Sequence, residues 1–337
     1  MRNLRFGIVG LGRMGKIHFD NINLNIKQAT ILGVSNLNPE NKKWVKERSD
    51  AKIYDHYDKM VRDSKIDAII ISSPTSFHIE HINIALKAGK AIFCEKPVEL
   101  SFKKVKLIKD SIKDSKVPFM VGFNRRYDQS MQKIKKSIKN GTIGTPQIIG
   151  ITSRDPAPPD INYLKTSGGL FLDMAIHDFD MACFLNENPV ESVYSTGSVF
   201  GDKQIENLGD VDTAVTTLNF ENGSIATINN SRKAAYGYDQ RVEVFGDLGM
   251  CATNNQLPDN HFISDKNGIH TPRPIGFFFE RYADSYRSII KEFISCLIEK
   301  REMPNGINSG LNSLHISLAA KKSFQEKRVV YLKEEFN

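Results

Sequence analysis

Leu4-Arg5-Phe6-Gly7-Ile8-Val9-Gly10-Leu11-Gly12-Arg13-Met14-Gly15 is the stretch that decides the fold. A short apolar strand, Leu4–Val9, runs into Gly10-x-Gly12-x-x-Gly15, and a helix is expected from about Met14. In that context the first glycine permits a tight turn, the second lets the backbone approach a pyrophosphate, and the third lets helix and strand pack closely. The helix N-terminus then offers N–H groups and a positive partial charge to phosphate. Gly10, Gly12, Arg13, Met14 and Gly15 are therefore expected at a dinucleotide cofactor.

The strand–helix alternation continues outward from this turn. Ala29–Val34 reads as a strand, Asn38-Pro39-Glu40 as a helix start with Asn38 as N-cap and Pro39 in the first position, and Ala68–Ile71, Ala91–Cys94 and Val117–Gly122 as further strands. Short, wholly apolar strands between helices predict a parallel sheet covered on both faces. After Asn124 the pattern changes. A helix is expected from about Gln129 to Lys139, then strands at Pro146–Ser153, Val190–Val199, Thr213–Phe220, Ser224–Asn229 and Gln240–Phe245, with Glu221-Asn222-Gly223 as a hairpin turn. Helices near Ala283–Lys300 and Ser309–Gln325 close the chain. The expected fold class is α/β: an N-terminal Rossmann dinucleotide-binding domain over residues 1–124, and a C-terminal α+β domain over 125–337 with a large, predominantly antiparallel sheet for substrate binding and oligomerisation.

The bulk properties agree with a two-domain globular chain of 337 residues, 40% hydrophobic and 25% charged. No apolar run is long enough to span a bilayer, and a first strand starting at Leu4 leaves no room for a signal peptide, so a cytoplasmic protein is expected, with no membrane partner. The four cysteines, at 94, 183, 251 and 296, form no metal-binding spacing and read as reduced thiols. The net charge of +7 raises the question of nucleic acid. The lysines, however, fill the solvated faces of amphipathic helices, as in Phe102–Lys109 and around Met131, Ile134 and Ile138. Dispersed in this way, they predict no nucleic-acid partner.

Loops at the carboxyl ends of parallel strands line the cofactor crevice. Ser72-Ser73-Pro74-Thr75 follows Ala68–Ile71, so Ser73, Pro74 and Thr75 are expected there, with His78 in support. Glu95-Lys96-Pro97 follows Ala91–Cys94. Glu95 is placed at the cofactor, and the Lys96 ammonium is suited to hold a substrate hydroxyl, stabilise a developing alkoxide or pass a proton. Pro97 restricts the backbone at Lys96, and their bond is a candidate for the cis form. Gly33-Val34-Ser35-Asn36 ends the second strand, where an NAD site usually carries an acidic residue for the ribose hydroxyls. Asn36 hydrogen-bonds but lacks the charge that repels a 2′-phosphate. No arginine follows to bind that phosphate, which favours NAD and leaves NADP possible. In Gly168-Gly169-Leu170-Phe171-Leu172-Asp173-Met174-Ala175-Ile176-His177-Asp178, a continuous helix would set Asp173 and His177 one turn apart on one face, as an acid/base pair. Asp173, His177, Asp178 and Asp180 invite a metal, but hydride transfer to nicotinamide requires none, and none is expected.

Gly10–Gly15, Cys94–Pro97 and the Asp173/His177 pair together resemble the glucose–fructose oxidoreductase / inositol dehydrogenase (Gfo/Idh/MocA) family, over nearly the whole chain. Val121–Tyr127, Ser153–Pro159, Gly209–Ala214 and Tyr236–Gly246 are similar to bacterial inositol 2-dehydrogenases. The resemblance implies that His177 takes a hydroxyl proton while hydride leaves the same carbon for nicotinamide, that Asp173 orients His177, and that Lys96 completes the catalytic set. It further implies polyol contacts from Lys96, Arg126, Asp155, Asp173, His177 and Tyr236, and a homotetramer built through the second-domain sheet. The residues alone also fit a surface ion pair for Arg126, a turn start for Asp155 and a packing role for Tyr236. The implied reaction is NAD-dependent oxidation of myo-inositol to 2-keto-myo-inositol. Two readings compete: the same chemistry on another inositol or a pyranose sugar, and a non-catalytic nucleotide sensor, which would have lost Lys96 or His177.

Asn36 generates a direct test. Asn36→Asp should raise the preference for NAD over NADP, about tenfold in the ratio of kcat/KM values, through repulsion of the 2′-phosphate. An unchanged ratio would mean that position 36 does not face the ribose.

Overall fold

A computed structural model describes residues 3–35 and 37–334. In chain order the elements are β1 (Leu4–Val9), α1 (Arg13–Asn25), β2 (Ala29–Ser35), α2 (Pro39–Lys46), β3 (Lys52–Tyr54), α3 (Tyr57–Val61), β4 (Ala68–Ile71), α4 (His78–Lys87), β5 (Ala91–Cys94), α5 (Phe102–Ser115) and β6 (Phe119–Val121). There follow α6 (Gln129–Lys139), β7 (Pro146–Arg154), α7 (Ile161–Ser167), α8 (Leu170–Asp173), α9 (Ile176–Asn186), β8 (Val190–Ser198), α10 (Gln204–Asn207), β9 (Thr213–Phe220), β10 (Ile225–Ser231), β11 (Asp239–Gly246) and β12 (Gly249–Ala252). A small hairpin, β13 (Ile263–Asp265) and β14 (Gly268–His270), precedes α11 (Phe278–Arg281), α12 (Ala283–Glu299), α13 (Ile307–Glu326) and β15 (Val330–Tyr331). Among the described residues no helix is long and apolar enough to cross a membrane.

The first compact unit takes the chain up to Asn124 and then takes back Asp284–Asn312. A single cut after residue 124 therefore misses one segment, for a packing reason. Phe293 of α12 is fully buried and sets its ring edge-on to Phe6 of β1 and Phe93 of β5, at 6.1 and 5.8 Å between centroids. The sheet of this unit runs β3-β2-β1-β4-β5-β6, parallel throughout, and its order reverses beside β1. Val9 pairs with Ile71 and Ile71 with Cys94, so Gly10, Ser72 and Glu95 leave the sheet side by side at one edge. The helices follow their local signals. The Asn38 side chain accepts from the Asn41 N–H at 2.8 Å, with Pro39 behind it. On α5, Val105, Ile108 and Ile112 are buried, one face of the helix.

The second unit comprises Arg125–Ala283 and the segment from Ser313 onward. Its sheet runs β12-β11-β7-β10-β9-β8-β15, and every pairing is antiparallel except that of β7 with β10. Thr213–Phe220 is a strand as expected, and the Glu221–Gly223 turn joins it to β10. Alternate residues face inward: Ile149, Ile151 and Ser153 on β7, Ala226, Ile228 and Asn230 on β10, Ala214, Thr216 and Leu218 on β9. The opposite face carries exposed Ile148, Val215, Ile225 and Phe245.

Phe293→Ala should destabilise the protein by about 3–5 kcal/mol, the usual range for emptying a buried aromatic site. Urea unfolding of the full chain measures it. A loss under about 1 kcal/mol would show that α12 is not part of the first unit's core.

Candidate active site

In the first unit, candidate residues gather at the edge where β1, β4 and β5 end. Gly10 has φ +84, and a Cβ there would lie 2.6 Å from the Ser73 backbone. A Cβ on Gly15 would lie 2.1 Å from the Gly10 carbonyl oxygen, whereas one on Gly12 would meet nothing within 4 Å. Two glycines thus serve close packing and the middle one leaves its backbone open to approach. Helix α1 starts at Arg13 with no side chain capping it and no acidic residue in its first turn. An open glycine backbone at an uncapped, acid-free helix start fits a dinucleotide pyrophosphate. The Ser72 hydroxyl donates to the Gly10 carbonyl at 2.7 Å and ties the two loops together.

Glu95 and His78 brace this edge from behind. The Glu95 carboxylate lies 2.6 Å from Nε2 of His18, a buried residue of α1, and Gly122 has no Cβ to collide with it. The His78 ring nitrogens sit 2.9 Å from the Pro97 carbonyl and 2.8 Å from the Ser73 carbonyl. Burial pushes the His78 imidazole below its usual range, although both carbonyls and Glu95 act the other way. His78 therefore links the Ser73 loop to the Lys96–Pro97 segment, whose peptide bond is cis. Ser73 Oγ is 2.9 Å from Nδ1 of His81, which burial pushes down to about 4. Lys96 and Thr75 are half-buried, Pro74 is exposed, and Asn36 lies outside the described residues.

In the second unit, candidate residues gather where β7 and β10 end together. Arg154 pairs with Ser231, so Asp155 and Arg232 emerge as neighbours. The Asp155 N–H donates to the Ser231 carbonyl at 2.8 Å, the Ala234 N–H to the Asp155 carbonyl at 2.8 Å, and the Arg232 N–H to the Asp212 carbonyl at 2.7 Å. Both side chains continue the inward alternation. Arg232 is 1% exposed, and its Nη2 lies 3.6 Å from Oδ2 of Asp173. Tyr163 of α7 donates its hydroxyl to Oδ1 of Asp173 at 2.8 Å. Asp173 is delivered by two consecutive left-handed glycines, Gly168 (φ 90) and Gly169 (φ 87). Asp210 accepts from the Leu170 N–H at 2.9 Å and anchors the start of α8.

The continuous helix expected from Leu170 through Asp178 is broken. α8 ends at Asp173, and α9 starts at Ile176. The Ala175 N–H bonds back to the Leu170 carbonyl at 2.9 Å, a five-residue step that widens the turn. The helix break means that a regular i, i+4 spacing does not set Asp173 and His177, and the Asp173 carboxylate has Tyr163 and Arg232 among its contacts. His177 stands in the first turn of α9, beside Asp178.

Arg126 does not join the Asp155–Asp173 cluster. Its Nε and Nη2 bond both oxygens of Asp180, at 2.8 and 2.6 Å. The neighbouring Arg125 is the one whose charge reaches Asp155, and it pairs with Asp178 at 2.5 Å, which also accepts from Asn230 at 2.7 Å. Tyr236 donates to Asp239 at 2.5 Å and accepts from Arg154 at 2.8 Å. Arg232, Tyr163 and Arg125 escaped sequence reasoning. For Arg232 a signal existed: Ala226, Ile228, Asn230 and Arg232 share one period-2 face.

Burial pushes Asp155 up to about 6, because the attraction of Arg232 and Arg125 is partly offset by the charges of Asp173 and Asp178. Folded protein then holds this proton more tightly than unfolded chain does. The associated stability is complete below the ordinary carboxylate range and is lost as pH rises through about 6. The stability of Asp155→Asn relative to the parent should improve by about 2–3 kcal/mol between pH 4 and pH 7.5, because the variant is always neutral. Denaturation at both pH values tests this, and a constant gap would mean that Asp155 does not titrate in that window.

Known proteins match this chain in sequence and fold. The family model described as "Oxidoreductase family, NAD-binding Rossmann fold" matches residues 4–123, and that described as "GFO/IDH/MocA C-terminal domain" matches 131–252. Myo-inositol 2-dehydrogenase of Thermotoga maritima is 41% identical over 98% of this chain and 99% of its own length. Inositol 2-dehydrogenase of Rhizobium meliloti is 40% identical over 97% and 98%. The crystal structure of scyllo-inositol dehydrogenase from Lactobacillus casei, with bound NAD(H) and scyllo-inositol, superposes with a TM-score of 0.92 at 30% identity, covering 99% of this chain and 100% of that one. The chain belongs to the GFO/IDH/MocA oxidoreductase family, and its first unit is that family's NAD-binding Rossmann domain.

Proposed function

We propose that this member of the family oxidises myo-inositol at C2 to the 2-keto product, scyllo-inosose. NAD supplies the hydride acceptor when it is bound. His177 takes the proton of the reacting hydroxyl as the C–H pair leaves as hydride, Asp173 holds His177 and a substrate hydroxyl in place, and Lys96 stabilises the charge that develops on oxygen.

One observation carries the polyol reading: two carboxylates, Asp155 and Asp173, lie within the influence of one buried guanidinium, Arg232, at the end of the second sheet. A cyclitol presents a hydroxyl on every ring carbon and offers donors to both carboxylates. A substrate with one hydroxyl would use fewer of these acceptors. The names of the relatives support inositol. The scyllo-inositol complex of the Lactobacillus casei enzyme favours a second reading, oxidation of the scyllo isomer, by the same residues. The exposed Ile148, Tyr194, Val215, Ile225, Phe245 and Met250 on the open sheet face support subunit contacts there, in a homotetramer. Four free cysteines support a reducing cytoplasm.

Formation of reduced nicotinamide, followed by absorbance with myo-inositol, scyllo-inositol and glucose and with NAD or NADP, tests the substrate and cofactor together. Activity with scyllo-inositol alone selects the second reading, and silence with every polyol overturns both. Lys96→Ala and His177→Ala should each lower kcat by about 10²–10⁴-fold and leave NAD affinity within a few-fold. Full turnover in either variant removes that residue from the mechanism.

A further inference from the structure

We propose that Arg232 is a positioning residue: its buried guanidinium is shared by Asp155 and Asp173 and holds both as acceptors for substrate hydroxyl groups. The inference rests on the polyol reading above and supplies the reason for a buried cation that no step of the reaction uses.

Arg232 is the largest of the fully buried side chains. Its Nε and Nη2 are buried and make no hydrogen bond among the described residues. Burying a guanidinium costs several kcal/mol, by rough general measure, and the cost is offset only by opposite charge close by. That charge comes from Asp173 at 3.6 Å and from Asp155, the adjacent strand end. A cation this close favours the ionised form of Asp155, against the effect of its burial. Asp155 and Asp173 approach from different elements, β7 and α8, and Arg232 is the cation both share. Other charged and titratable groups in the cluster include Arg125, ahead of α6, with its partner Asp178 on α9, and Tyr163 of α7 on the far oxygen of Asp173. Asp173 therefore has a donor on one oxygen and a cation on the other, whereas Asp155 depends on Arg232 and Arg125 against two negative neighbours. An ionised Asp155 accepts from a hydroxyl through both oxygens. A protonated one competes as a donor.

The test is the KM for myo-inositol across pH 5–9, with the full chain and saturating NAD. In the parent, KM should rise as pH falls below about 6. Arg232→Gln should move that rise to higher pH by about one unit and raise KM at pH 7.5 about tenfold, while NAD affinity stays within twofold. Arg232→Lys keeps the charge without the planar fork and should leave the position of the rise near the parent's. A packing role would change kcat or stability and leave the rise where it was, and that result overturns the inference. Should Arg232→Gln fail to fold, Arg232→Lys decides: a rise in KM displaced by about a pH unit or more from the parent's, with the charge retained, refutes the shared-cation role. Should the parent oxidise no polyol, the function reading fails separately, and the hold of Arg232 on Asp155 is read from melting temperature against pH. The loss of stability near pH 6 must move upward in Arg232→Gln, and an unmoved loss refutes the inference without any substrate.

Discussion

Parallel strands that lie side by side end at the same edge, and both units depend on that constraint. Two neighbouring parallel strands cannot be joined by a tight turn, so the chain must leave the sheet and return. In the first unit every neighbour is parallel, and the returns after β1, β4 and β5 collect the glycine turn, Ser72–Thr75 and Glu95–Lys96 in one place. In the second unit a single parallel pair, β7 with β10, sits inside an otherwise antiparallel sheet. The excursion between those strands contains α7, α8 and α9, and with them Tyr163, Asp173 and His177. The return sets Arg232 beside Asp155.

The inner face of the second sheet changes character along its length. Ile149, Ile151, Ala226 and Ile228 are apolar and packed. One step further come Ser153 and Asn230, and beyond them Asp155 and Arg232. The same alternation that builds the core thus carries charged side chains to its end, where hydrophobic packing has already excluded water. Two further arginines enter this interior with their partners attached: Arg125 with Asp178 and Arg126 with Asp180. Buried pairs of this kind add little net stability, but losing one partner is costly. Adjacent arginines on two carboxylates of α9 fix the register of that segment, because a slip of one residue would leave both charges unpaired.

Much of the first unit was legible in the sequence, because its signals are local. The glycine turn, the Asn38 cap and the all-apolar strands each announce themselves within a few residues, and so does the Glu221–Gly223 hairpin. What was not legible depends on distant partners. Nothing near Phe293 says that it packs on Phe6 and Phe93. The break at Met174–Ala175 has no proline to mark it, only the preceding Gly168-Gly169 and an anchor at Asp210. Arg126 reads like Arg125 until Asp180 and Asp178 sort the two apart. Arg232, in Ser231-Arg232-Lys233, reads as a solvated turn unless the strand's period is carried one step past its end.

The first unit's discontinuity has a consequence for the order in which the molecule is made. Its sheet is encoded before Asn124, but the segment that seals one side, Asp284–Asn312, is translated only after all of Arg125–Ala283. During synthesis, Phe6 and Phe93 have no Phe293 to close over them. The nucleotide-binding half must wait on the ribosome with part of its core open while the other half is being completed. Domains generally fold in the order of synthesis. Here that order is inverted, and the unit that starts first is the one that must finish late.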